Sequence, residues 1–306
     1  MDGVPTGMTV GVMTVTLVIA LTSLISGWRV RSTRDYTVAG RRAAWPIVSG
    51  IIVGALVGGS STVGTTQAAF VYGLPAWWFT LGGGIGCVVL ATLFAKPMRR
   101  TGVETLPQYL VCTFGNAIRP LVAISDRIGI FLTIPAQTAS AITLLTVLLH
   151  WSAVLVFILV SLLVIVYVFM GGAISAGVAG FAKLLISFAA LLVLGAVALV
   201  IGGGFSALHA ALPAKYFDLF GNRFWQDTGN GLGIAFGVLT TQVYVQAVLS
   251  GRDVRQSRVG AFVAGVGTTL FGLGGVAVGM FIRIHEPNIA PDQALPLFAA
   301  HYLLPC

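Results

Sequence analysis

The residues that could do chemistry here are hydroxyls set among glycines, inside a segment apolar enough to cross a membrane. They are Ser60, Ser61 and Thr62, preceded by Gly54, Gly58 and Gly59. Glycine weakens a helix by about 1 kcal/mol relative to alanine. Serine and threonine offer the backbone alternative hydrogen bonds. The pattern predicts a helix that breaks near the bilayer midplane. A break frees carbonyls that can hold a cation, and it creates a half-helix N-terminus that favours an anion. Lipid cannot satisfy such groups, so the break must face protein or a watery cavity. The chemistry expected is non-covalent binding. The same small residues also let membrane helices approach closely, so this stretch alone leaves binding and packing both open.

A second stretch repeats the character of the first. Residues 229–242 carry glycines in their first half and end on Thr240, Thr241 and Gln242 within an apolar span. Two interrupted spans at corresponding positions of an inverted repeat point to a solute site between them. The candidate solute-binding residues are therefore Gly58, Ser60, Ser61 and Thr62 from the first stretch, with Thr240, Thr241 and Gln242 from the second. The sequence pairs no nucleophile with a base, and Cys87, Cys112 and Cys306 lack metal or redox spacing, so neither an enzyme nor a metal site is expected.

The elements that position these residues are membrane helices. Hydrophobic residues make up 57% of the 306-residue chain and charged residues only 8%, against about 25% charged in soluble domains. Eight apolar spans are expected, near 8–28, 44–72, 75–95, 120–149, 152–170, 178–203, 231–249 and 259–282. Each meets the length of about 20 residues that a spanning helix needs. Pro135 is expected to kink the long fourth span. The net charge of +8 is spread over loops, which is a topology signal and not the footprint of a nucleic-acid partner. Arg29 to Arg42, Lys96 to Arg119, and Arg252 to Arg258 fall in loops that alternate to one side. That side is expected to be cytoplasmic, with the N-terminus outside and the chain multi-pass in the plasma or inner membrane. Residues 205–229 are expected to form an external loop holding a short surface helix, and 287–306 an external amphipathic segment. Asp126 and Arg127, adjacent early in the fourth span, cannot face each other on a helix, so each is expected to anchor elsewhere. Thr133 and Gln137, further along it, serve helix packing or line a cavity.

In order along the chain, the residues resemble the N-terminal part of the sodium/solute symporter family, which has the LeuT-type fold. Asp35-Tyr-Thr-Val-Ala-Gly-Arg41 is similar to the family's lead-in to its second helix, and Ala69-Phe-Val-Tyr-Gly-Leu74 to that helix's exit. Arg100-Thr-Gly-Val-Glu-Thr-Leu-Pro-Gln-Tyr-Leu110 with Phe114-Gly115, Gly171-Gly172, and Gln242-Val-Tyr-Val-Gln246 with Gly251-Arg-Asp253 follow in register. The resemblance implies an all-α polytopic membrane fold in a single transmembrane domain. Residues 8–28 would be an extra helix, 44–203 a complete five-helix repeat, and 231–306 the start of an incomplete inverted one. It implies cation-coupled symport of a small polar or anionic organic solute by alternating access. The carbonyls of Gly54 and Val57 would hold sodium, together with hydroxyls from the family's ninth helix, which lies beyond Cys306. A fragment, a natural truncation without function, and a transporter-like solute sensor are the readings left open.

Two departures bear on the ion. Many family members carry an acid in the first turns of the sixth helix, where Gly180 stands here. One turn further on is Lys183, the one lysine within the spans, and an ionisable residue there is a functional hypothesis by default. We expect its ammonium to reach the break and take the place of sodium. Burial penalises the charged form of a lysine, which opens proton coupling as the other route. The competing expectation is that Lys183 snorkels to the cytoplasmic surface. Residues that sugar-transporting members use are replaced by Ser60, Ser61, Gly237, Val238 and Thr241, which disfavours sugar. Amino acids and monocarboxylates are the solute classes expected.

Overall fold

The structure is a computed structural model. It describes residues 32–302 except 150, 171 and 221–223, together with six scattered helical positions between Gly11 and Ile25. The first expected span, 8–28, lies almost wholly outside these residues.

Thirteen helices are described. A short lead-in, α1 (Thr33–Val38), precedes α2 (Trp45–Leu56) and α3 (Gly59–Tyr72). The span α4 (Leu74–Arg100) follows. Next come α5 (Leu106–Phe114), α6 (Arg119–Leu149), α7 (Ala153–Met170), α8 (Ala173–Ile201) and α9 (Gly204–Ala211). The chain continues through α10 (Phe224–Thr240), α11 (Gln242–Ser250), α12 (Val254–His285) and α13 (Ala294–Tyr302). Four of these helices are long and apolar enough to cross a membrane: α4, α6, α8 and α12. Two more crossings are broken pairs. The α2–α3 pair bends by 53° and the α10–α11 pair by 50°. Pro135 lies inside α6, which continues past it.

Glycines set the packing. A Cβ at Gly180 of α8 would overlap the Gly50 carbonyl oxygen, and one at Gly54 would lie 3.3 Å from the Gly180 Cα. Backbones that close bring α8 onto α2 with van der Waals contact in place of large side chains. The same device seats α4 on α10, where Gly82 meets Gly231, and α12 on α8, where Gly274 meets Gly195. Gly180 therefore has no room for a side chain.

One end of the molecule is tied by arginines and backbone. Arg41 donates to Gly102 O at 2.7 Å, and Arg99 Nε donates to Gly251 O at 2.7 Å. The Ala43 N–H donates to Ser250 O, and the Arg252 N–H donates back to Ala43 O at 2.8 Å. The three basic loops thus meet on one face. At the opposite end, the expected surface segment contributes α9 and a short turn. Tyr216 is buried there and its hydroxyl donates to Val71 O at 3.0 Å. Gly73 faces it at φ +78 against the Tyr216 backbone, so no other residue fits. α13 covers α3 and α12 on that end, with Phe298 fully buried.

Candidate solute site between two broken helices

α2 ends because Val57 leaves helical geometry (φ −91, ψ 95), and Gly58 is extended (φ −130, ψ −158) before α3 begins. Neither conformation demands glycine. Close approach does: a Cβ at Gly58 would overlap the Gln137 side chain of α6, and one at Gly59 would overlap Ser140. The second break is at Thr241, also extended (φ −86, ψ 131), between α10 and α11.

The two breaks face a common cavity of 740 Å³. Gly54, Gly58 and Ser60 line it from the first break, and Thr241, Gly237 and Val238 from the second. α6 contributes Gly129, Thr133 and Gln137, and α8 contributes Lys183. Phe79, Ile234 and Tyr244 complete its apolar walls. Lys183 is the one charged residue among those lining it.

The other sequence-derived candidates lie off the cavity. The Ser61 hydroxyl accepts the Gly58 N–H at 2.8 Å and donates to Gly58 O at 3.0 Å. The Thr62 hydroxyl donates to Gly58 O at 3.0 Å. Both hydroxyls close the α3 N-terminus on itself. The Thr240 hydroxyl donates to Phe236 O at 2.9 Å from an exposed position. Val57 is a buried corner residue. Gln242 faces the basic end: its Oε1 accepts the Leu106 N–H at 2.7 Å, and its Nε2 donates to Gln246 Oε1 at 3.3 Å. Gln246 in turn donates to Thr37 O.

Two features of the site were not visible in residue types. Gln137 Oε1 accepts the Ser60 N–H at 3.4 Å, placing an α6 amide on the N-terminus of α3. Asp126 Oδ1 accepts the Gln242 N–H at 3.0 Å, so a carboxylate caps the N-terminus of α11. An anion at a helix N-terminus answers both the unsatisfied N–H groups and the dipole.

At the carbonyl end of α2, Lys183 Nζ lies 3.5 Å from Gly54 O, a long hydrogen bond. The lysine can reach because Gly180, one turn earlier, lets α8 touch α2.

The model of the sodium:solute symporter family matches residues 36–296. The chain belongs to this family. It is 25% identical to the human high affinity choline transporter 1 over 282 residues, 86% of this chain and 48% of that one. The choline transporter of Caenorhabditis elegans is 27% identical over 82% of this chain and 44% of its own. The human sodium/iodide cotransporter is 28% identical over 41% of this chain and 20% of its own. The chain spans about half the length of the choline transporters it matches. A solved structure of a Na+-coupled sialic acid symporter, substrate-bound and outward-open, superposes with a TM-score of 0.81 at 16% identity. It covers 97% of this chain and 67% of that one, so the symporter fold is shared. The family and these relatives are transporters, and the family name carries sodium as the coupling ion.

Proposed function

We propose that this symporter-family chain holds the solute-binding core of a secondary active transporter. It would move a small polar or anionic organic solute across the plasma or inner membrane. The carrying observation is the cavity: residues of two broken helices line one space of ligand size. The basic face would be cytoplasmic, and the α3 exit and α10 entry external. Residues 44–203 would form one repeat and 231–306 the start of its inverted counterpart.

The solute would lie against Gly58, Ser60 and Thr241, its anionic end drawn by Lys183 and by the N-terminus of α3. The cation at the first break would be the Lys183 ammonium. A magnitude supports this reading. Two like unit charges about 4 Å apart repel by about 4 kcal/mol at an effective dielectric of about 20, which is about a thousandfold in affinity. A sodium ion on Gly54 O would meet that repulsion from an ammonium already bonded there. On that argument an ammonium would suit this carbonyl better than sodium, and coupling would run through protons if Lys183 gives up and regains its proton in the cycle. Solute would bind the occluded state best and so shift the population toward it.

The test is accumulation by the full-length polypeptide in vesicles, with amino acids and monocarboxylates as probes under an imposed ion gradient. Uptake above equilibrium supports the reading. Equilibration no faster than in protein-free vesicles under every gradient would remove it.

A further inference from the structure

α4 and α12 cross side by side in opposite directions, and their packing leaves an apolar groove of 280 Å³. Ile85 walls it from α4, and Val266 and Leu270 wall it from α12; all three are exposed. Gly84 and Gly265 form its floor, where a Cβ at Gly265 would lie 2.8 Å from Gly84 O. Close helix packing accounts for the glycines by itself. It does not account for what stands at the basic end of the groove.

The exposed stripes that wall the groove run on into three bases. On α4, Ile85, Val88, Thr92 and Lys96 follow at spacings of three and four, which is one helix face. On α12, Leu270, Val266, Phe262, Val259 and Arg255 do the same, and all are exposed. Arg258 bridges the two helices. Its Nε donates to Ala91 O at 3.1 Å, inside the π-helical turn Leu90–Phe94 of α4. The rest of its guanidinium, the Lys96 ammonium and the Arg255 guanidinium make no hydrogen bond or ion pair among the described residues. Asp253, the acid nearest to Arg255 in sequence, is taken by Arg252 at 3.4 Å and by the Gln256 N–H at 2.8 Å.

The spacing fits one kind of molecule. Arg258 stands seven residues from Gly265 and twelve from Leu270, which is about 10 Å and about 18 Å along a helix. Half of a bilayer's hydrocarbon core is about 15 Å. A phospholipid with its headgroup at the bases therefore lays the far half of an acyl chain in the groove.

We propose that the groove and its three bases form a site for a phospholipid of net negative charge, taken from the leaflet on the basic side. The headgroup phosphate lies among Lys96, Arg255 and Arg258, and one acyl chain fills the groove. Basic pockets between membrane helices select anionic headgroups by charge. A zwitterionic lipid with the same chains fills the groove equally but brings its own cation to the phosphate. The site needs a bilayer and no transported solute, so it stands or falls apart from the uptake reading.

The test is competition for the groove in the full-length polypeptide, reconstituted in bilayers of brominated dioleoyl phosphatidylcholine. Val266→Trp reports a brominated chain there by loss of fluorescence, once the signal of the protein without this tryptophan is subtracted. Leu270→Trp reports the same if the first variant does not fold. Dioleoyl phosphatidylglycerol is expected to restore the fluorescence at about a fivefold lower concentration than dioleoyl phosphatidylcholine, or less, since one base near the surface is worth about that factor. Lys96→Gln combined with Arg255→Gln should remove most of that preference. Arg258 is left in place because it also ties the two helices. Salt at about 1 M should act like the double variant without any substitution, because the screening length falls to about 3 Å. Equal competition by the two lipids overturns the proposal and leaves a groove that any acyl chain fills. A preference that survives both the double variant and the salt overturns it too, since the bases would then not hold the headgroup.

Discussion

The two helix breaks bend almost equally, by 53° and 50°, yet they are held in different ways. At the first, the N-terminus of α3 is closed by its own Ser61 and by the neutral amide of Gln137. Its carbonyl partner, Gly54, meets a cation on a long arm. Ser60 and Gly58 stay on the cavity wall. At the second, the N-terminus of α11 is held by the Asp126 carboxylate, and Gln242 and Gln246 tie the same turn to α5 and α1. Only Thr241 of that polar cluster lines the cavity. A half-helix end capped by an anion has nothing left for an anionic solute, whereas an end capped by a neutral amide does. On the proposed reading, the first break would be the binding end and the second the anchored one.

The largest effect expected on this contrast comes from crowding the first break. Gly180→Asp would drive a side chain into the Gly50 carbonyl, and overpacking of this kind costs about 1–3 kcal/mol or more. We expect loss of folded protein, read by monodisperse recovery after extraction. A normal yield with normal stability would show that α8 does not sit as described.

Next in size is the cap at the second break. Asp126→Ala removes a hydrogen bond to a charged group, worth about 1.5–3 kcal/mol. Gln137→Ala at the first break should cost less than about 1 kcal/mol, because the bond it removes is neutral and long at 3.4 Å, and the Ser60 N–H stands at the cavity wall. Thermal unfolding of the two variants side by side checks the order, and equal losses would erase the distinction between the breaks.

A smaller effect is expected at Asp253, which caps α12 on the exposed basic face and accepts the Gln256 N–H at 2.8 Å. That backbone bond, helped by Arg252, holds its carboxyl below the ordinary value. A depressed carboxyl lends stability above its unfolded pKa and withdraws it as pH falls through the folded one. The wild type should therefore lose a little more melting temperature than Asp253→Asn between about pH 5 and pH 3. Identical curves would mean that the exposed cap contributes nothing, sharpening the contrast with Asp126.

Much of this was legible in the sequence. Glycines beside hydroxyls announced both breaks, because those residue types weaken a helix locally, and Lys183 stood out as a charge in an apolar span. The share of each hydroxyl was not legible. Ser61, Thr62 and Thr240 spend theirs on their own helix backbone, which composition cannot distinguish from pointing at a solute. Asp126 and Gln242 meet across 116 residues, a contact that no local pattern encodes. The shared fold with a solved symporter was within reach of an ordered set of weak likenesses, since each motif sits where the chain turns or crosses.

In the proposed transporter, the Lys183 ammonium would hold the cation position at the first break. The direct measurement is solute uptake by the full-length protein in vesicles with sodium and proton gradients imposed separately, wild type against Lys183→Ala. We predict uptake that follows the proton gradient, ignores sodium, and is lost in the variant. Uptake that collapses without sodium in the wild type and persists in Lys183→Ala would contradict it.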